Sequence, residues 1–547
     1  MGYLLGVILG TLLVVLITRL WSFLVYVIWR PYAITKKFRE QGIMGPAYML
    51  WSGSIKEIIS IRRASEGVVL DINSHDITPR VLPHYTKWIS LYVTTVLEII
   101  GQRKLTNRIA NVSGNPNWIG IESRTFLYWF GPQPRICVTD PEQTKQVLSN
   151  KFGFYIKPEP NPIIFALMGK GLVFSEGSDW ARHRRVVNPA FAMDKLKMMT
   201  KSIAKCAQSM IEGWQIQDES QEKEIEFGRQ FQELTADVIS HTAFGSSYKE
   251  GKEVFLAQKE LQKLALATFF NIHLPIFRYI PTSRNLHKWK LERKARNTLM
   301  RIIQSRFDSK ESGYGNDLLG LMLEACTSGH YGGKKEDQRM NMDEIIDECK
   351  TFFFAGHETT SHWLTWTTFL LGANPEWQER LREEVLRECG KEIPDADMLS
   401  KLRLVTMVLF EALRLYGPVV MMQRKADKDM NLGTLQIPKG TAVTLPLVIM
   451  HRDKEIWGAD ANEFNPFRFQ NGITKAAKHP NALLAFSIGP RACIGQNFAM
   501  LEAKIVLAMI LQRFSFRVSP NYKHAPADLL TLQPKNGLPI ILSPLNA

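Results

Sequence analysis

The stretch Phe486-Ser-Ile-Gly489-Pro-Arg491-Ala-Cys493-Ile-Gly495 constrains this 547-residue chain more than any other. It sets one thiol, two glycines, one cation and one aromatic ring at fixed offsets, and a helix-like run over residues 497–514 follows it. Neither glycine has a side chain to keep a flat group from approaching the sulfur closely. A helix that starts just past the loop presents unpaired N–H groups, which stabilise a negative sulfur. The common fate of a free cysteine is burial in a core, and these offsets set Cys493 apart from that fate. The other five cysteines, at 137, 206, 326, 349 and 389, are scattered and form no C-x-x-C pair. That spacing speaks against a disulfide framework or a zinc site and suits a reducing compartment.

At the amino terminus, residues 3–29 are nearly all apolar and are interrupted only by Arg19. About 20 apolar residues span a bilayer as a helix, and Arg19 can snorkel toward an interface. The basic residues Arg30, Lys36, Lys37 and Arg39 follow the apolar run. A cleaved signal peptide has the opposite order, and the positive-inside rule places the body of the chain in the cytosol. Residues 1–30 are therefore expected to be a membrane anchor. Residues 31–50, with Gly45-Pro46, read as a basic hinge, and residues 51–547 as the catalytic body.

Past residue 141 helical periodicity dominates, over 194–214, 226–244, 286–309, 342–371, 375–389 and 404–416. Strand-like runs are short, at 135–138 and 441–447. The expected class is mainly α with a small β part. The formal charge of +15 could attract nucleic acid, anionic lipid or an acidic protein. The basic residues are spread along the chain and no nucleic-acid motif accompanies them, so a nucleic-acid partner is not expected.

Three further patterns lie in the body. Trp180-Ala-Arg-His-Arg184 puts an indole and a guanidinium on one helix face. Glu411-Ala-Leu-Arg414 pairs opposite charges three residues apart. Ala355-Gly-His-Glu-Thr-Thr360 sits within a long apolar helix, where burying a Glu-Thr-Thr run costs free energy unless partners exist. His357-Glu358 and His362 nearly spell a zinc protease motif. The second histidine is five residues on, however, about 140° round the helix from the first, so the imidazoles diverge.

With the Cys493 loop, these patterns resemble the cytochrome P-450 superfamily over nearly the whole chain. The loop is similar to F-x-x-G-x-R-x-C-x-G at every fixed position. The others are similar to W-x-x-x-R, A/G-G-x-D/E-T-T/S and E-x-x-R, in the family's order. Residues 41–46, 84–88 and 355–361 look most like the plant clan acting on fatty acids, terpenoids and isoprenoid hormones. The resemblance implies the P-450 fold with an N-terminal transmembrane helix. It implies a haem b cofactor with Cys493 as axial ligand, in a loop that also uses Phe486, Gly489 and Gly495. A thiolate in that position favours O–O cleavage. Trp180, Arg184, Arg424 and Arg491 would hold the propionates, which suit indole and guanidinium donors.

Gly356 would permit close approach and a local opening of its helix. Glu358 and Thr359 would be an acid–alcohol pair delivering protons. Glu411, Arg414 and Arg468 would form a structural cluster. Phe467 stands where the family's P-E-R-F region has an acid, which makes Arg468 the residue expected to matter. By the same resemblance, electrons come from NADPH through a separate flavoprotein reductase, and the substrate is a hydrophobic small molecule. The apolar segments 418–422 and 530–533 line the pocket in relatives. The site would be the endoplasmic reticulum membrane.

Two other readings stand beside this one. Some haem-thiolate relatives rearrange peroxides, but these tend to lack the helix threonine that Thr359 supplies. A haem sensor or membrane scaffold that had lost turnover would not need an intact proton-delivery pair. One segment departs from the family. Residues 93–124 separate His84-Tyr-Thr-Lys-Trp88 and Tyr92 from the strand-like run at 125–131. They read as an inserted membrane-contacting loop or an intron retained in the predicted protein.

Overall fold

The computed structural model describes residues 2–93, 124–150, 153–214, 222–245, 248–270, 279–308, 314–315, 317–327 and 339–545. The expected insertion at 93–124 lies outside them, apart from its two end residues. The chain divides into two compact units. One contains residues 1–67, 78–158 and 421–446; the other contains 68–77, 159–420 and 447–547.

The first unit is built on a five-stranded sheet. Its strands run in the order Thr125–Phe130, Gln133–Val138, Ala442–Leu445, Met422–Ala426 and Tyr155–Ile156. All pairings are antiparallel except that of Gln133–Val138 with Ala442–Leu445. The helix Pro83–Tyr92 lays Tyr85 and Trp88 against the first strand. Tyr85 shares a 2.6 Å hydroxyl contact with Tyr128, which reaches Thr444 at 2.8 Å. These bonds satisfy buried hydroxyls that would otherwise be costly.

The helix from Tyr3 to Glu40 has mean hydropathy 2.3 in its most apolar window, none of which is buried, so it is long and apolar enough to cross a membrane. It includes a π-helical turn at Val25–Trp29. The basic residues 30–39 continue the helix rather than forming a linker. Gly45 is equally committed. Leu127 N–H donates to Met44 O at 2.9 Å, and a Cβ on Gly45 would sit 1.7 Å from Leu127 O. The expected hinge is therefore seated on the sheet, at a point where only glycine fits.

The second unit is mainly helical, with a three-stranded sheet of Lys223–Glu226, Pro539–Pro544 and Phe514–Val518 and a two-stranded one of Pro526–Asp528 and Leu532–Pro534. At its centre runs the 32-residue helix Met342–Ala373, about 48 Å long. Asn341 and Glu344 close its amino end as a reciprocal capping box, with both bonds at 2.9 Å. Most of its side chains from Ile345 to Leu371 are buried, as expected of a helix apolar on most of its circumference. The helix Phe227–Phe244 packs along it, and a Cβ on Gly356 would meet Ile239 Cδ1 at 2.8 Å. Gly356 thus serves close helix approach, and helical structure is continuous through it. The remaining helices agree with the sequence periodicity to within three residues, and Pro375–Cys389 matches it at both ends.

Candidate active site

Cys493 is the one exposed cysteine; four of the other five are buried and Cys326 is intermediate. The loop that carries it is tied at both ends. Cys493 N–H donates to Phe486 O at 2.9 Å and Ala492 N–H to Gly489 O at 3.0 Å. Gly489 has φ +75°, a conformation open to glycine at little cost. Gly495 has φ −86° and caps the helix Gln496–Leu511. A Cβ there would only touch Cys493 Sγ and Phe191, at 4.0 Å each. Burial of its inner side raises the Cys493 thiol, while the Gly495 N–H and Arg184 pull it back toward the thiolate. The Phe486 ring closes the loop against Trp363, at 5.9 Å between centroids.

The cation and indole candidates from the second unit converge on this loop. Trp180 and Arg184 lie on the helix Gly177–Val187 and share an open pocket of about 410 Å³ with Ala181, Arg185, Asn188 and Pro189. Arg184 donates to Ala492 O at 3.2 Å. Arg491 stacks over the Trp180 ring at 4.3 Å and donates to Ser175 O and Glu176, at 2.8 and 2.6 Å. Arg424 belongs to the first unit, where it is buried on its strand and donates to Gln423 O at 2.8 Å.

The residue set fits a haem. It offers a reachable sulfur with an N–H aimed at it, and an indole and two guanidiniums suited to carboxylates. On the central helix, Ala355, Gly356 and Thr359 form a half-buried stripe with buried neighbours on either side.

Glu358 and Thr359 are not a pair in space. Thr359 donates to Ala355 O at 2.7 Å, one turn back along its own helix. Glu358 is buried and accepts from Gln262 at 2.7 Å and from Thr531 at 3.0 Å. The alcohol that touches the acid is therefore Thr531. His357 and His362 flank the carboxylate at 3.7 and 3.8 Å, one on each oxygen. Their divergence, expected from the spacing, is what places the acid between them. Burial alone would raise Glu358, but His362, His357, Gln262 and Thr531 together hold it below the usual carboxylate value.

The expected structural cluster is present and larger than its motif. Arg414 meets both oxygens of Glu411 at 2.7 Å, and neither side chain is exposed. Arg468 Nε lies 3.8 Å from Glu411, but its closer acid is Asp460, at 2.8 Å. Phe467 is exposed and leans on Trp377, 4.8 Å between centroids. The acidic partner missing from position 467 is thus supplied by Asp460, which the sequence reading did not single out.

An apolar cluster includes Phe354 of the same helix. Ile164, Met168, Leu264 and Leu530 are partly buried against a cluster containing Phe354, Leu167 and Leu261. Leu532 N–H donates to Pro418 O at 2.8 Å, joining two segments expected to line a pocket.

A fold of this kind, with a thiol loop leading into a helix, defines a haem-thiolate oxygenase. A sequence model described as Cytochrome P450 matches residues 120–540, and the chain belongs to that family. It is 48% identical over 553 residues to Cytochrome P450 709B1 of Arabidopsis thaliana, covering 100% of both chains. It is 39% identical over 546 residues to Cytochrome P450 734A1 of Arabidopsis thaliana, covering 98% of this chain and 95% of that one. It is also 39% identical over 544 residues to secologanin synthase 1 of Catharanthus roseus, covering 98% of both. The chain is a plant haem-thiolate monooxygenase.

Proposed function

We propose that this enzyme oxidises a hydrophobic small molecule, of fatty acid, terpenoid or hormone-like class, from an anchored position on the endoplasmic reticulum membrane. The carrying observation is Cys493, reachable in a tied loop and backed by the Gly495 N–H. Cys493 would hold a haem iron through its thiolate, and that group would supply oxygen activation. Trp180, Arg184 and Arg491 would hold the propionates. Thr359, on the half-buried stripe, places a hydroxyl toward the reacting oxygen, and Glu358 supplies protons from behind it. Glu411, Arg414 and Arg468 fix the geometry of the helices that carry these groups.

The substrate reading is supported by the partly buried apolar residues Ile164, Met168, Leu264 and Leu530, which pack on the cluster containing Phe354 of the central helix. A relative named as a secologanin synthase agrees with a small-molecule substrate. Membrane anchoring is supported by the exposed apolar helix from Tyr3. NADPH electrons arrive through a flavoprotein reductase, and the +15 charge suits an acidic partner. Raising the salt concentration should weaken that docking.

The test is a reduced carbon monoxide difference spectrum of membranes carrying the full chain. The strongly red-shifted Soret band of thiolate-ligated haem is expected, and Cys493→Ala should abolish both the band and NADPH-dependent oxygen use. A wild-type band in Cys493→Ala would refute the ligand assignment.

A further inference from the structure

Glu358 lies at the end of a hydrogen-bonded line that no local motif contains. Thr531 has one hydroxyl proton, and it is given to Glu358 Oε1 at 3.0 Å. Toward His362 Nδ1, at 3.1 Å, Thr531 can therefore only accept. His362 must then carry its proton on Nδ1, which leaves Nε2 as the acceptor in the neutral ring. Nε2 faces Gln232 Nε2, a donor, at 3.3 Å. Every donor in the line points toward Glu358, and the His362 ring also has the Glu358 main-chain carbonyl, one turn back, as a second acceptor.

The line also has an outer end. His362, Thr531 and Glu358 are buried, whereas Gln232, on the helix Phe227–Phe244, is half-buried. Thr531 reaches Glu358 from a turn in which Leu530 adopts φ +73°, a left-handed conformation that branched-chain residues seldom take. Gln262 does not extend the line. It donates to Glu358 and to Leu529 O, at 2.7 and 3.2 Å, and so holds the acid and the turn together.

We propose that His362 and Thr531 form a proton relay that reloads Glu358 from the Gln232 side. In one passage Gln232 yields His362 Nε2 to solvent, the imidazole takes a proton there as it gives its Nδ1 proton to Thr531, and Thr531 gives its hydroxyl proton to Glu358. One proton enters, one arrives at the carboxylate, and no electron moves. Rotation of the hydroxyl and exchange of the ring tautomer restore the line. His357 is not part of it, because its Nδ1 is taken by Phe353 O at 2.6 Å. The relay rests on the reading of Glu358 as proton source, and the test separates the two.

Full-length, haem-loaded enzyme is combined with reductase and NADPH without added substrate, and the share of consumed oxygen released as hydrogen peroxide is measured. Thr531→Val removes the hydroxyl at nearly constant size. It and His362→Phe should each lower conversion of oxygen to water by about tenfold, a fraction of what general acid–base groups contribute. Thr531→Ser should stay near wild type. A readout independent of turnover is the His362 tautomer, followed by nitrogen NMR on the reduced, carbon monoxide-bound protein. The Nδ1–H signal is expected at the same position in wild type and Thr531→Ser, and displaced in Thr531→Val, where only the Glu358 main-chain carbonyl is left to accept it. If Glu358→Gln raises peroxide while Thr531→Val does not, the relay is wrong and the role of Glu358 stands. If Glu358→Gln leaves peroxide unchanged, both fail. Equal defects in Thr531→Val and Thr531→Ser would mean that Thr531 only packs, and would also overturn the relay.

Discussion

Two buried carboxylates, Glu411 and Glu358, sit on long helices of the same unit and are held in opposite ways. Glu411 faces a guanidinium fork, with both Arg414 bonds at 2.7 Å, and also accepts the Asn465 N–H at 3.0 Å. Glu358 faces neutral donors, Gln262 and Thr531, with two imidazoles beside it. A guanidinium does not give up its proton in a protein, whereas an imidazole does so near neutral pH. The first carboxylate is held in place by a two-pronged ion pair whose cation keeps its protons. The second is surrounded by groups that can exchange a proton with it. Burial is common to both, so partner chemistry, not depth, separates a structural acid from a chemical one.

The same substitution at the two positions should therefore behave differently. Glu411→Gln leaves the fully buried Arg414 without its countercharge. Removing one partner of a buried pair costs about 3–5 kcal/mol, enough to lower the urea midpoint sharply and to erode the carbon monoxide difference band. A loss under about 1 kcal/mol would show that the carbonyls of His451 and Glu463, which accept from Arg414 at 2.9 and 3.0 Å, suffice for it alone.

This contrast was only half legible in the sequence. Glu411 and Arg414 meet because they are three residues apart on one helix, a relation that spacing reveals. The Cys493 loop was legible for the same reason, since its work is done within ten residues. The environment of Glu358 is not local. Gln232 lies 130 residues before His362, and Thr531 lies 173 after Glu358. The family pattern named Glu358 and Thr359 together as an acid and an alcohol, and adjacent residues on a helix point about 100° apart, so the hydroxyl that touches the acid had to come from elsewhere. Asp460 was missed because it contacts Arg468 from a loop rather than from the motif's own position. Gly45-Pro46 read as a bent connector, and nothing in the local sequence shows the close approach to Leu127 that requires glycine there.

Histidines sharpen the comparison through pH. His451 belongs to the Arg414 neighbourhood, and its Nε2 accepts the Leu484 N–H at 3.0 Å. Burial, then Arg414 and Arg452, push it down to about 3 from an ordinary 6.5. The unfolded chain therefore takes up this proton first. The stabilisation is present above about pH 6.5 and is lost as pH falls toward 3, by up to about 1.4 kcal/mol per pH unit. His362 is also lowered by burial, but Glu358 opposes the shift, so its share of the acid loss should be smaller. Denaturant titrations between pH 6 and 4 should show a flatter slope for His451→Gln than for His362→Gln. Equal slopes would mean that the two carboxylate environments do not differ electrostatically in the way their partners imply.

The smallest stability effect should come from Glu358→Gln. The amide keeps an oxygen for Thr531 or Gln262, and no permanent cation is stranded when the charge is removed. The cost should stay near that of one ordinary hydrogen bond, about 1 kcal/mol, while the peroxide share of consumed oxygen rises. Such a variant would melt close to wild type and still show the thiolate band. A destabilisation approaching that of Glu411→Gln would make Glu358 a second structural anchor. Its four polar neighbours would then be there to hold the carboxylate in place, and the proton-supply reading would lose its physical basis.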